Sequence, residues 1–338
     1  MILTRRLLPL AVLVALPLLP ARAPAAGPVR EPVTFKVTNP LKPGKTYTIR
    51  GVMVRPAAGC SGSVLLAMHG LSYGKWAWDF PGYSVAEALA ARGYATVAVD
   101  ELGYGASHGT GRPGHPNGYT LTVDGYAEMT AQMVKQLRHG NYGAASPVAF
   151  PRVGLIGHSA GSEIVEMAAG LHPGIADVLI PTAYTHEPFV NNYWLRREWA
   201  LDNQRALLDD YEYFETNPTI RARDMYHRSN ADPAVIALDN SLANLTPSGE
   251  VFSIGSQRSR LVIPLIKVPL LLVLGEYDTL FPGHFAAQEL ALFTLASDKS
   301  FLIAPNDGHS FMLHFNGSAT ITRIADWLDA HNAALPKC

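Results

Sequence analysis

Short apolar runs rich in β-branched residues recur along the chain, at residues 64–68, 95–99, 153–156, 178–180, 270–274 and 301–303. Runs of this length without polar alternation predict strands buried on both faces. Helical patterns lie between them. Ser84-Val85-Ala86-Glu87 is a capping box that opens a helix closed at Gly93, and Met129, Met133 and Leu137 recur four apart within residues 126–137. A further helix is predicted after residue 159, and a last one over residues 321–330. Strand alternating with helix predicts an α/β domain built on a mostly parallel sheet with helices on both faces. The segments 33–37 and 47–54 precede the first helix, so they are expected as an antiparallel hairpin at one edge.

One region breaks this rhythm. Residues 184–261 show no clear strand pattern and concentrate Tyr193, Trp194, Trp199, Tyr211, Tyr213, Phe214 and Tyr226 among Arg and Asp residues. Long excursions in compact domains usually serve as lids or binding elements, so a helical cap insertion is expected here, with Trp194 and Trp199 offered to a substrate pocket. The chain then divides into residues 27–183 as the first part of the core, 184–261 as the cap, and 262–338 as the second part of the core.

Composition narrows the class. Hydrophobic residues make up 48% of the chain and charged residues 16%, which supplies a sizeable core and argues against disorder. With 27 basic and 28 acidic side chains, no net field draws the protein to nucleic acid or an anionic membrane. Arg5 and Arg6 precede an apolar run over residues 7–19 that ends in Ala23-Pro24-Ala25-Ala26. This is the layout of a signal peptide, expected over residues 1–26, because roughly 20 apolar residues are needed to span a bilayer. The mature protein is therefore expected to be secreted or periplasmic, without a stable membrane anchor.

The chemical signal is Gly157-His158-Ser159-Ala160-Gly161, directly after one predicted strand and directly before a predicted helix. This G-x-S-x-G pattern places a serine on a strand-to-helix turn so tight that a Cβ at either flanking glycine would clash. A serine hydroxyl is a weak nucleophile at neutral pH and needs a base beside it, oriented by a carboxylate. Both are available later in the chain. Leu274-Gly275-Glu276-Tyr277-Asp278 follows one strand and Asn306-Asp307-Gly308-His309 follows the last, which gives the order Ser, Asp, His at successive strand ends. Glu276 is the competing acid, one that lies closer to its strand.

On these three motifs the chain resembles the α/β-hydrolase superfamily from about residue 33 to the last helix. The resemblance implies an eight-stranded sheet with Ser159 as nucleophile, Asp278 as orienting acid and His309 as general base. It also implies an oxyanion hole formed by the Ala160 amide and the Leu71 amide, the latter from the loop Met68-His69-Gly70-Leu71. The longer glycine run of many lipases and esterases is absent from that loop. Trp76 and Trp78 follow it and are candidates for the pocket wall or for packing of the loop. His69 and His158 flank the site and are expected to hold loops. No metal and no cofactor are expected, since no His or carboxylate cluster has ligand spacing. In such a fold Cys60 belongs at the sheet edge opposite the site, and the last helix runs back to that edge, so a Cys60–Cys338 disulfide is expected.

The expected chemistry is acyl transfer to water, on a small-molecule or lipid-like ester. Two alternatives stay open at this point: a peptidase or amidase using the same residues, and a binding protein that keeps the fold without turnover.

Overall fold

The computed structural model describes residues 27–187 and 211–338. The expected signal peptide, Trp194 and Trp199 lie outside the described residues. The first strands are β1 (Val29–Thr38) and β2 (Thr46–Arg55), which pair antiparallel along their length. Next come β3 (Ser63–Met68), β4 (Ala95–Asp100), β5 (Arg152–His158) and β6 (Leu179–Thr182). After the inserted region, which holds the two-residue strands β7 (Tyr213–Phe214) and β8 (Thr246–Pro247), follow β9 (Leu270–Gly275) and β10 (Lys299–Ala304). They form one eight-stranded sheet in the order β1-β2-β4-β3-β5-β6-β9-β10, parallel from β4 to β10.

Burial explains the sequence pattern. Every residue of β3, β4 and β9 is buried, because helices cover both faces and no position needs to be polar. In β1, Val33, Phe35 and Val37 face inward and alternate with less buried neighbours, as an edge strand of an antiparallel pair should. The expectation that the run at 301–303 is buried on both faces is corrected: β10 is the other edge, and Phe301 is 46% exposed.

The helices are α1 (Val85–Ala91), α2 (Val123–His139) and α3 (Ala160–Leu171) in the first part of the core, with α7 (Ala286–Leu292) and α8 (Gly317–Ala330) in the second. The Ser84 hydroxyl caps α1 by accepting the Glu87 N–H at 2.9 Å, whereas the Glu87 carboxylate turns away to Arg30 at 2.8 Å. The connection from β3 to β4 runs one way across the sheet and that from β4 to β5 runs back. With right-handed crossovers this reversal puts α1 on one face, where it meets α8, and α2 with α3 on the other. Beside β3 the strand order switches direction, and at such a point loops part at the carboxyl edge to leave a crevice.

Among the described residues, the region inserted between β6 and β9 carries α4 (Pro218–Asp224), α5 (Pro233–Leu242) and α6 (Ser248–Ile254). It also carries a short antiparallel pair, β7 (Tyr213–Phe214) with β8 (Thr246–Pro247), where the sequence predicts no strand. Two residues are too few to show a period of two. No helix among the described residues is long and apolar enough to cross a membrane. Cys60 and Cys338 are joined in a disulfide with their Cα atoms 4.4 Å apart, and the Cys338 N–H donates to Gly93 O at 2.9 Å.

Candidate active site

Ser159 stands between β5 and α3 with φ +55°, a conformation that costs a side-chain-bearing residue on the order of 1–3 kcal/mol. Its surroundings hold it there. The Ser159 N–H donates to Thr182 O at 2.9 Å, tying the turn to the neighbouring strand β6. A Cβ on Gly157 would lie 2.3 Å from Gly161 O, and one on Gly161 would lie 2.4 Å from the carbonyl oxygens of Met68 and His69. Both positions therefore exclude a side chain, because the first turn of α3 packs against Gly157 on one side and against the end of β3 on the other. Ser159 remains 9% exposed.

The loop after β3 lies against this turn. Gly70 is so close that a Cβ there would approach the Ser159 Cβ to 2.8 Å. The Gly70 carbonyl accepts from Tyr73 N–H at 3.1 Å and from His69 Nδ1–H at 2.9 Å. Because the peptide is planar and trans, fixing that carbonyl fixes the Leu71 N–H in the opposite direction. The Ala160 N–H is among the first-turn donors of α3, which lack a helical acceptor. His69 Nε2 accepts the Glu101 N–H at 3.1 Å, so the ring carries its proton on Nδ1. Burial depresses its pKa to about 4 and keeps it neutral.

Asp278 and His309 meet beyond the ends of β9 and β10. His309 Nδ1–H donates to Asp278 Oδ2 at 2.8 Å, while Asp278 Oδ1 accepts the N–H groups of Leu280 at 2.8 Å and Phe281 at 3.0 Å. The carboxylate is thus oriented from both sides. Glu276 instead ties its loop to the one after β10, accepting the Asn306 N–H at 2.9 Å. The Phe281 ring stacks on His309 at 5.7 Å, and His158 packs beside it at 4.9 Å. His158 Nε2–H donates to His309 O at 3.1 Å, which links the histidine loop to the residue preceding Ser159. Burial, reinforced by His309, holds His158 well below the usual imidazole range. His309 Nε2 is buried and has no hydrogen-bond partner among the described residues.

Trp78 is wholly buried and its Nε1–H donates to Met68 O at 3.3 Å, the contacts of a residue that packs the loop onto the body. Trp76 is partly buried between Tyr73 at 5.2 Å and Phe80 at 6.0 Å, and its Nε1 is buried with no hydrogen-bond partner among the described residues. One supporting residue had no sequence signal. His314 Nε2 accepts the N–H groups of Gly308 and His227, each at 3.0 Å, while its Nδ1–H donates to Ser310 O at 2.9 Å. That clamp needs a neutral ring, and burial lowers the His314 pKa to about 4.

Several solved structures share this architecture. A soluble variant of monoglyceride lipase from Saccharomyces cerevisiae is similar at 15% identity, over 92% of this chain and 97% of that one, with a TM-score of 0.64. A thermophilic esterase from Thermogutta terrifontis is similar at 18% identity, over 88% and 98%, with a TM-score of 0.62. A monoacylglycerol lipase from Paleococcus ferrophilus is similar at 16% identity, over 80% and 97%, with a TM-score of 0.60. At these identities the likeness is one of fold. Among curated proteins no relative matches the chain. The sequence model of the alpha/beta hydrolase family matches residues 64–320, and with that span, the eight-stranded sheet and the strand-end placement of Ser159, Asp278 and His309, the chain belongs to the alpha/beta hydrolase family.

Proposed function

We propose that the protein is a serine hydrolase that cleaves carboxylic esters through an acyl-enzyme. Ser159 Oγ attacks the ester carbonyl as His309 Nε2 takes its proton, and Asp278 holds the imidazole in the tautomer that leaves Nε2 free to do so. The negative charge that develops on the carbonyl oxygen is received by the Leu71 and Ala160 amides, each worth about 3 kcal/mol in such a hole. The His309 proton then passes to the leaving alkoxide. Water, deprotonated by the same nitrogen, attacks the acyl-enzyme, and His309 returns that proton to Ser159 Oγ as the acid leaves.

The observation that carries this reading is the state of His309. One ring nitrogen is bound to Asp278 at 2.8 Å, and the other is buried with no hydrogen-bond partner among the described residues, on the sheet edge where Ser159 stands. Of the similar structures named above, two are a monoglyceride lipase and a monoacylglycerol lipase and one is an esterase, which favours an ester over an amide substrate. Residues 184–261, with Trp76, Trp194 and Trp199, are proposed to wall the pocket and control which acyl chains enter. Export is proposed as well: removal of residues 1–26 leaves a chain whose Cys60–Cys338 disulfide suits an oxidising compartment, secreted or periplasmic.

The test is a panel of p-nitrophenyl esters of increasing acyl length set beside aminoacyl amides, assayed on the mature protein. Turnover of esters with little on amides is expected. Faster cleavage of the aminoacyl amides would overturn the ester assignment.

A further inference from the structure

Residues 70–73 form the turn that carries the Leu71 amide. The Tyr73 N–H donates to Gly70 O, and Ser72, the third residue of the four, has φ +65°. That is the type II pattern, whose third position favours glycine. A serine persists there when its surroundings over-determine the conformation.

Those surroundings come from the inserted region. The Ser72 hydroxyl donates to Leu71 O and accepts from Arg221 Nη1. Since a guanidinium has donors and no acceptor, Arg221 fixes which way the Ser72 proton points, and that proton holds the Leu71–Ser72 peptide. The Leu71 N–H belongs to the preceding Gly70–Leu71 peptide, and because the two planes hinge on Leu71 inside a turn closed at Gly70 O, holding one restricts rotation of the other. Arg221 lies on α4 and is wholly buried. Its Nη2 donates to Asp239 Oδ2 at 2.8 Å, its Nε donates to Asn240 Oδ1 at 3.2 Å, and its guanidinium lies 4.7 Å over the Tyr73 ring. Asn244 grips the same turn, its backbone N–H donating to Ser72 O at 2.7 Å and its Nδ2 to Tyr73 O at 2.8 Å. The Tyr73 hydroxyl in turn lies 2.5 Å from Ser310 Oγ, on the residue that follows His309.

We propose that Arg221 is a positioning residue of the oxyanion hole, acting through Ser72 to hold the Leu71 amide toward the developing charge. The inserted region therefore completes the catalytic site in addition to covering it. This inference rests on the serine-hydrolase reading above. A buried arginine–aspartate pair could instead serve the fold alone. Transition-state recognition separates the two roles.

The experiment compares mature wild type with Arg221→Lys, Ser72→Ala and the double variant, alongside Ser159→Ala. Arg221→Lys keeps a cation for Asp239 but loses the planar fork. Ser72→Ala leaves the Asp239 pair in place. Each is assayed for kcat and KM on a p-nitrophenyl ester and for inhibition by a trifluoromethyl ketone, which forms a tetrahedral oxyanion on the serine. The matching non-electrophilic alcohol serves as the ground-state probe. Both single variants are expected to lower kcat on the order of 10-fold or more, with KM nearly unchanged. The ketone should weaken by the same factor as kcat/KM, the alcohol should bind as to wild type, and the double variant should be no worse than the worse single. A Ser72→Ala protein of normal melting temperature with kcat and ketone affinity within about 2-fold of wild type would overturn the proposal, as would multiplicative losses in the double variant. If Arg221→Lys fails to fold, Ser72→Ala decides. Retained turnover in Ser159→Ala would instead refute the underlying serine-hydrolase reading.

Discussion

Replacing Glu163 with Gln should flatten the pH dependence of stability. Glu163 lies in the first turn of α3, wholly buried, with Oε1 accepting from Ser259 Oγ at 2.8 Å. The Ser259 hydroxyl is 2.7 Å from His186 Nε2, and His186 Nδ1 is 2.7 Å from Glu289 Oε1. Glu166, one turn along the helix, brings a second buried carboxyl to within 3.8 Å of His186, and Tyr184 packs on the same ring at 5.1 Å. Burial raises the Glu163 pKa from 4.5 to about 8, outweighing the Ser259 hydrogen bond that opposes it. The folded state thus keeps a proton that the unfolded state has released. Stability from this group is fully present below the unfolded pKa and is lost as pH rises through about 8. At about 1.4 kcal/mol per pH unit for one proton, the rise from about pH 5 to about pH 7 removes about 2.5 kcal/mol. That corresponds to a fall in Tm of about 4 °C in a domain of this size, whose unfolding entropy is about 0.65 kcal/mol/K. Gln has the shape of the neutral acid, keeps an acceptor for Ser259 and cannot ionise. Calorimetric melting at several pH values and constant ionic strength should show the difference in Tm, variant minus wild type, growing by that amount between the two pH values. Parallel Tm curves would refute the reasoning.

Asp278→Asn should lower kcat/KM on the order of 10⁴-fold, because the amide no longer enforces the His309 tautomer, whereas Glu276→Gln should stay within about 10-fold of wild type. The opposite ranking in steady-state kinetics would transfer the orienting role to Glu276. The Cys60–Cys338 disulfide, with a sequence separation of 278, closes nearly the whole described chain into one loop, so Cys60→Ala should cost about 2–4 kcal/mol in urea unfolding. Two alkylatable thiols in denatured, non-reduced wild type would contradict the bridge.

What the sequence made legible was set by local constraints. The runs at 64–68, 95–99 and 270–274 are apolar but for the β-branched Thr96 because both faces of β3, β4 and β9 are covered, so their composition alone marked them. The elbow was visible because Gly157 and Gly161 answer contacts within a few residues of Ser159 and with the strand beside it. The features that escaped depend on tertiary context. Whether Phe301 is buried depends on β10 being the last strand of the sheet, which no local pattern encodes. Trp76 and Trp78 look alike in sequence, yet Trp78 packs under the loop and the Trp76 indole nitrogen has no partner among the described residues. The contact between Ser72 and Arg221 spans 149 positions, and neither residue stands in a motif.

The most direct test of the central claim is reaction of the folded mature protein with a fluorophosphonate, which a serine attacks at phosphorus with loss of fluoride, followed by mass spectrometry of the digest. One adduct is expected, on the peptide that carries Ser159, and it should be absent from heat-unfolded protein and from Ser159→Ala. Folded protein that stays unmodified, or an adduct on another residue with Ser159 free, would contradict the assignment of Ser159 as the nucleophile.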